Sequence, residues 1–98
     1  MKQFLIDIQL PINISENFIK QIPDQHEQIE QMMESGVIRS YSLSADRSRL
    51  SMVFNADHSD KVQEILQEFK LYEYFDTTVT ELFFYKEAPE QLPAISLN

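Results

Sequence analysis

The sequence contains no cysteine, which excludes disulfides, a thiol nucleophile and thiolate metal ligands. It has only 1 glycine and 4 prolines in 98 residues, which leaves little room for a flexible linker and predicts a single domain. Basic residues are also few: Lys and Arg total 8 against 16 Asp and Glu, for a formal charge of −8. This charge repels phosphate backbones and anionic lipids, so we expect binding to neither nucleic acid nor membranes.

Long hydrophobic runs are absent as well. The opening residues, MKQFLIDIQL, alternate between apolar and polar side chains and soon reach Pro11, a pattern typical of a strand. We therefore expect neither a signal peptide nor a membrane span here, and we expect a cytoplasmic protein. A domain of this length buries about 60 to 70% of its unfolded surface, so dimerisation would help to stabilise it.

Periodicity predicts a first strand and a first helix. Residues 2–10 alternate as a strand does, and Ser15 is a candidate N-cap for the helix that follows. That helix ends at Gly36, a residue type that suits a helix C-terminus. Pro23 predicts either a kink or a short leading turn before a main helix that begins near Pro23, and we favour the second. The predicted apolar stripe, which contains one histidine, consists of Phe18, Ile19, Ile22, His26, Ile29, Met32 and Met33.

The second half of the chain predicts two strands, a helix and a last strand. Residues 37–43 and 50–55 are strand-like runs joined by the polar segment SADRSR, whose length suits a hairpin. The second helix, which Ser59 or Asp60 can cap, carries apolar residues at helical spacing. A short aromatic link follows, and β-branched and aromatic residues then predict a strand over 77–85.

The resulting order is βαββαβ, which predicts a ferredoxin-like α+β fold: a four-stranded antiparallel sheet with two helices on one face. The last strand is apolar on both sides, so we expect the other face of the sheet to pack on a second sheet. Two subunits that pair in this way form a homodimeric α+β barrel. We assign residues 1–86 to this domain and 87–98 to a C-terminal tail, which either lies across the partner subunit or is disordered.

The link before the last strand carries a resemblance to a known family. In the stretch EILQEFKLYEYFDTTVTEL, a leucine, an aromatic residue, a tyrosine, a hydrophobic residue and an aspartate precede the last strand. These positions are held by Leu71, Tyr72, Tyr74, Phe75 and Asp76, and the pattern continues through Val79, Thr80 and Leu82. In this stretch the chain resembles the muconolactone isomerase family, one of the dimeric α+β barrels.

A weaker likeness to the same family covers residues 4–84, through FLIDIQLPI and through a helix that ends in a glycine with an arginine just beyond. The chain departs from the family pattern where Val37, Ile38 and Ser40 replace a lysine, a tryptophan and a histidine. The resemblance implies a cofactor-free proton shift on a lactone that bears a carboxylate, with cations to hold that carboxylate. It implies no metal and no nucleotide, and its partners are a small organic molecule and a second subunit.

The most informative side chain is His26, which we expect to face the sheet from the apolar stripe of the first helix. A histidine in a small pocket could move a proton near neutral pH, although a hydrogen-bonded core histidine gives the same pattern. Glu27 points about 100° away from His26 around the helix, so the two need not converge. The family has an acidic residue near this position, at the place of either Gln25 or Glu27. Arg39 could hold a substrate carboxylate or instead form a surface ion pair.

Four further candidates are less specific. Tyr41, Tyr72 and Tyr74 could donate hydrogen bonds at the rim of a pocket, or they could serve in packing alone. Asp7 interrupts the first strand on the face opposite its apolar residues. We expect Asp7 to pair with Arg39 or across the dimer rather than to act in catalysis.

These features lead to three hypotheses about function. The first is a cofactor-independent isomerase of the muconolactone isomerase type, which acts on a small lactone or carbonyl compound with His26 as proton shuttle and Arg39 as anion clamp. The second is a non-catalytic small-molecule-binding or assembly module with the same barrel, and the third is a cofactor-free monooxygenase. We expect no metal site: His58 lies among acidic residues, but a capped polar loop explains that pattern.

Overall fold

The computed structural model describes residues 1–88, which form strands and helices in the predicted order βαββαβ. The elements are β1 (Lys2–Gln9), α1 (Glu16–Glu34), β2 (Ile38–Leu43), β3 (Arg49–Ala56), α2 (Ser59–Gln67), a short 3-10 helix (Tyr72–Tyr74) and β4 (Asp76–Glu81). The predicted tail falls outside the described residues from position 89 onwards. Within residues 1–88, no helix is both long enough and apolar enough to cross a membrane.

The four strands form one antiparallel sheet in the order β2-β3-β1-β4. Alternate residues of β1, among them Phe4 and Ile6, point towards the helices and are buried beside Met52 and Phe54 of β3. The helices complete this core through Ile29, Val62, Ile65 and Leu66. The ferredoxin-like arrangement of two helices on one face of the sheet is therefore confirmed.

Helix α1 begins where the sequence predicts. The Ser15 hydroxyl accepts a hydrogen bond from the Phe18 amide at 3.1 Å and so caps the helix. The predicted start of the main helix near Pro23 is wrong, because α1 is continuous and Pro23 lies inside it. A proline at this position removes the hydrogen bond to the carbonyl of Ile19. Ile19 and Pro23 are both exposed, so the loss falls on the solvent side of the helix.

The buried stripe of α1 differs from the predicted one. Phe18, Gln25 and Ile29 are buried, whereas His26 and Met33 are exposed. A helical stripe with spacings of three and four residues can include either position 25 or position 26. Both positions hold polar residues, so hydrophobicity alone does not show which of them faces the core. The inward position belongs to Gln25, and the expectation that His26 faces the sheet is wrong.

The turn from α1 into β2 depends on the single glycine of the chain. Gly36 has a φ of +85°, a backbone conformation that favours glycine, and it ends α1 as predicted. The side-chain amide of Asn55 donates to the Gly36 carbonyl at 2.9 Å, which fixes the start of β2 against β3. A bulge follows between Ile38 and Ser40, and beyond it Tyr41 pairs with Met52 on the helix-covered side of the sheet.

The start of α2 differs from the prediction in its capping residue. Ser59 and Asp60 lie inside the helix, and His58 is the N-cap instead. The Nδ1 atom of His58 accepts a hydrogen bond from the Asp60 amide at 3.1 Å, in the role that a hydroxyl or carboxylate oxygen usually has. This contact gives His58 a structural role, in line with the capped-loop interpretation.

Strand β4 is shorter than predicted, because it ends at Glu81 rather than at Tyr85. Its neighbour in the sheet is β1. The last backbone hydrogen bond between the two strands runs from the Leu82 amide to the Gln3 carbonyl at 2.9 Å. Since β1 begins at Lys2, residues 83–88 have no further β1 residues to pair with.

The face of the sheet away from the helices, here called the open face, is more polar than predicted. Alternate residues of the four strands form it: Gln3, Leu5, Asp7, Ser40, Ser42, Ser51, Val53, Asn55, Thr78 and Thr80. The expectation that β4 is apolar on both sides is wrong, because it relied on Phe83 and Phe84. Both lie beyond the end of the strand and are exposed.

Candidate functional site

A cavity of about 200 Å³ lies between α1 and the sheet, beside the end of β1. Its walls are mainly apolar and consist of Leu10, Phe18, Ile22, Ile29, Leu43, Leu50, Leu71 and Phe75. Three polar side chains, Gln25, His26 and Tyr41, complete the lining. A largely apolar cavity with a few polar groups is the usual form of a small-molecule site, so this cavity is the candidate functional site.

Gln25 is the buried polar side chain at the cavity, with 4% of its surface exposed. Its Oε1 accepts a hydrogen bond from the Leu71 amide at 2.9 Å, and its Nε2 donates to Gln28 Oε1 at 3.0 Å. A side-chain amide nitrogen carries two hydrogens. Within residues 1–88 only one of them is bonded, so the other can be donated to an oxygen atom in the cavity.

His26 lies at the mouth of the cavity, with 63% of its side chain exposed. Its Nε2 is 3.8 Å from Oε2 of Glu30, which is one helical turn further along α1. An imidazole at the mouth of a cavity can exchange a proton with a bound molecule and with solvent.

Tyr41 brings a hydroxyl to the cavity from the edge strand β2. Burial raises the pKa of Tyr41 above its usual value, and the negative charge of Glu30 raises it further. The hydroxyl therefore stays protonated throughout the neutral range and can donate a hydrogen bond. Glu30 is therefore a neighbour of both groups: its Oε2 is 3.8 Å from His26 Nε2, and its charge acts on Tyr41.

The link that carries the family resemblance forms one wall of the cavity through Leu71 and Phe75. Two glutamines of α1 hold this link in place. Gln25 binds its backbone at Leu71, and the Nε2 of Gln28 donates to the Glu68 carbonyl at 2.9 Å. The position of the wall therefore depends on the polar residues of the helix opposite.

Of the three predicted rim tyrosines, the structure brings only Tyr41 to the cavity within the described part of the chain. The Tyr74 hydroxyl accepts a hydrogen bond from Asn17 Nδ2 at 2.9 Å, and its ring packs edge-on against Phe18 at 5.2 Å between centroids. Tyr74 thus supports a cavity wall from behind. Tyr72 is exposed on the short helix of the link.

Arg39 lies away from the cavity. Its Nη2 is 2.8 Å from Oε1 of Glu87, and both residues border a broad surface depression of about 840 Å³ with Tyr85 and Lys86. The structure therefore does not bring His26 and Arg39 together. Arg39 forms the kind of surface ion pair that the sequence left open.

Asp7 and Glu27 also lie away from the cavity. Asp7 is on the open face, as predicted, but its partner is Arg49 rather than Arg39, with Arg49 Nε 3.4 Å from Asp7 Oδ1. This contact is ionic only, because Oδ1 takes part in no hydrogen bond. Glu27 borders a separate surface depression on α1, so it does not converge with His26.

Sequence reasoning missed two residues at the site. Gln25 was noted only as a possible counterpart of the family's acidic residue, although its spacing of four from Ile29 fits the buried stripe. Glu30 lies four residues after His26, a spacing at which helix side chains meet, and this signal was present in the sequence. Within residues 1–88, no group of three His, Asp or Glu side chains is placed to hold a metal ion.

The four-stranded antiparallel sheet with two helices on one face defines a ferredoxin-like α+β fold. The sequence profile of the muconolactone delta-isomerase family matches residues 3–88, so the chain belongs to this family. A crystal structure of muconolactone isomerase shares the fold, with a TM-score of 0.72 at 17% identity over 91% of this chain and 96% of that chain. No curated protein matches the sequence. The predicted resemblance to the muconolactone isomerase family is confirmed.

Proposed function

We propose that the protein is a cofactor-independent isomerase that moves a proton within a small lactone or carbonyl compound bound in the cavity. The observation that supports this most is the position of His26, beside Glu30 at the mouth of an apolar cavity. Family membership adds to it, because the family name describes an isomerase.

Each polar group at the cavity has a role in this reaction. The imidazole of His26, with Glu30 at 3.8 Å, removes a proton from a ring carbon that the carbonyl acidifies, either next to the carbonyl or at the far end of a conjugated double bond. Negative charge develops on the carbonyl oxygen, where the Gln25 amide and the Tyr41 hydroxyl can donate hydrogen bonds. His26 then returns the proton to another carbon of the same molecule.

A non-catalytic binding module is the second candidate. His26 and Glu30 are both more than half exposed, with side-chain values of 63% and 55%, and such pairs also occur on helix surfaces with no catalytic role. In that case the apolar cavity binds its ligand without turnover.

We also propose that the protein forms a homodimer through the open face. Leu5 on that face, and the exposed Phe83 and Phe84 beyond β4, supply apolar surface that a second subunit can cover. A cytoplasmic location and a separate tail from residue 87 stay predictions.

The isomerase proposal is tested with α-angelica lactone and with muconolactone, each incubated with the protein in D₂O and followed by proton NMR. We expect at least one lactone to isomerise about 10²- to 10⁴-fold faster than in buffer, the range that general acid–base catalysis supplies. Deuterium should enter at the carbon that receives the proton. Binding of both lactones without isomerisation would favour the binding module, and oxygen consumption would instead favour a monooxygenase.

A further inference from the structure

We propose that the cavity takes an uncharged lactone or ketone and rejects analogues that carry a carboxylate. This inference rests on the proposed isomerase function and specifies its substrate class. The inference follows from three features: the positions of the basic residues, the charge at the cavity mouth and the neutral hydrogen-bond donors inside the cavity.

Lys and Arg side chains are absent from the cavity lining within residues 1–88. The chain has 8 such residues in total, namely Lys2, Lys20, Arg39, Arg47, Arg49, Lys61, Lys70 and Lys86. Residues 89–98 contain none, so the undescribed end of the chain cannot supply one. Four of these cations already contact carboxylates elsewhere, through the pairs Lys2–Glu81, Arg39–Glu87, Arg49–Asp7 and Lys61–Glu64.

The charge near the cavity is negative instead. Glu30 lies close enough to Tyr41 to disfavour a second negative charge on its hydroxyl. The same field acts against a substrate carboxylate that enters beside Tyr41. Among the lining residues that the structure describes, only His26 carries a side chain that can be cationic, and the Glu30 carboxylate lies 3.8 Å from it.

The donors inside the cavity are neutral. Gln25 offers its second amide hydrogen and Tyr41 its hydroxyl, and both suit the oxygens of a lactone or ketone. A carboxylate buried against apolar walls with no cation beside it would lose far more hydration than these two donors replace. A volume of about 200 Å³ also fits a small ring rather than a long chain.

The reaction needs no other reactant. In α-angelica lactone, His26 takes a proton from the ring carbon next to the carbonyl, and the electrons of that C–H bond enter the enolate. The ring double bond moves by one position, and the proton returns to the carbon that bears the methyl group. Every atom and electron of the lactone is retained, so the uncharged substrate yields an uncharged isomer.

The test compares muconolactone with its methyl ester, which keeps the ring and the side chain but removes the negative charge. Dissociation constants are measured by NMR titration of the full-length protein, and isomerisation is followed in the same samples. We expect the ester to bind at least about tenfold more tightly than the acid, with affinity on the order of millimolar for so small a ligand.

Each outcome of this comparison has one meaning. If the ester is preferred and isomerised, the inference holds. If muconolactone binds as well as the ester or better and is isomerised, the inference fails while the isomerase proposal stands. If neither compound binds or reacts, both fail.

A variant that adds a positive charge tests whether charge is the cause of the proposed selectivity. Leu43 lines the cavity mouth and is 48% exposed, so Leu43→Lys places a cation there without burying it. We expect Leu43→Lys to raise the affinity for muconolactone relative to that for the ester about tenfold, and we expect no such change in the ratio for the neutral variant Leu43→Met, which alters the same wall without adding a charge. Glu30→Gln, assayed by binding alone, should also tighten muconolactone binding. If neither charge change alters muconolactone binding, charge does not set the selectivity and the inference is overturned.

Discussion

Replacing His26 with alanine is expected to lower the turnover of α-angelica lactone by about 10²- to 10⁴-fold, because it removes the proposed proton shuttle. Stability should change little. The side chain is 63% exposed, and its contact with Glu30 is an exposed pair of a kind that contributes about 0.2 to 1 kcal/mol at most. Turnover is measured by NMR and folding by thermal melting followed by circular dichroism.

His58→Ala provides the matched control, since His58 is the other histidine of the chain. It caps α2 and does not line the cavity, so its loss should cost about 0.5 to 2 kcal/mol of stability and leave turnover unchanged. The assignment of His26 fails if His26→Ala retains full turnover, or if the two variants lose turnover to the same extent.

Phe54→Ala is expected to reduce the free energy of unfolding by about 3 to 5 kcal/mol. The ring of Phe54 is 0% exposed at the centre of the helix-covered face and lies 6.2 Å from the ring of Phe69. Truncation leaves a cavity in the core between β3 and α2. Since a domain of this size has only about 5 to 15 kcal/mol of stability in total, the variant should unfold at a much lower urea concentration.

Phe84→Ala is the control for this prediction, because Phe84 is 74% exposed in the single chain. At protein concentrations where the chain is monomeric, we expect a change within about 0.5 kcal/mol. A larger loss that grows with protein concentration would indicate that a second subunit covers Phe84. A large loss at every concentration would contradict the placement of Phe84 outside the core.

The sequence predicts the order of the elements because periodicity changes clearly along the chain. Alternation in β1 and the capping by Ser15 are local signals, and both are present in the structure. The extent of β4 could not be predicted in this way, because it depends on where its neighbour β1 begins at Lys2. Pairing between strands distant in sequence is a tertiary property that single-strand propensities do not contain.

The candidate site was predicted less well than the fold, for a related reason. Tyr41 was identified as a candidate at the rim of a pocket, and it lines the cavity. The roles of positions 25 and 26 were exchanged, because a shift of one residue on a helix turns a side chain by about 100°. Arg39 was expected beside His26, but the β2 bulge and the pairing with Glu87 depend on contacts far along the chain.

The central claim is that the cavity between α1 and the sheet is where a small uncharged lactone binds. It is tested most directly by titrating the product, β-angelica lactone, into protein with labelled methyl groups and recording methyl shifts by NMR. We predict that the shifts concentrate at Leu10, Ile22, Ile29, Leu43 and Leu71, which line the cavity. Shifts confined to Leu5 and Val53 on the open face, with the cavity methyls unmoved, would contradict this claim.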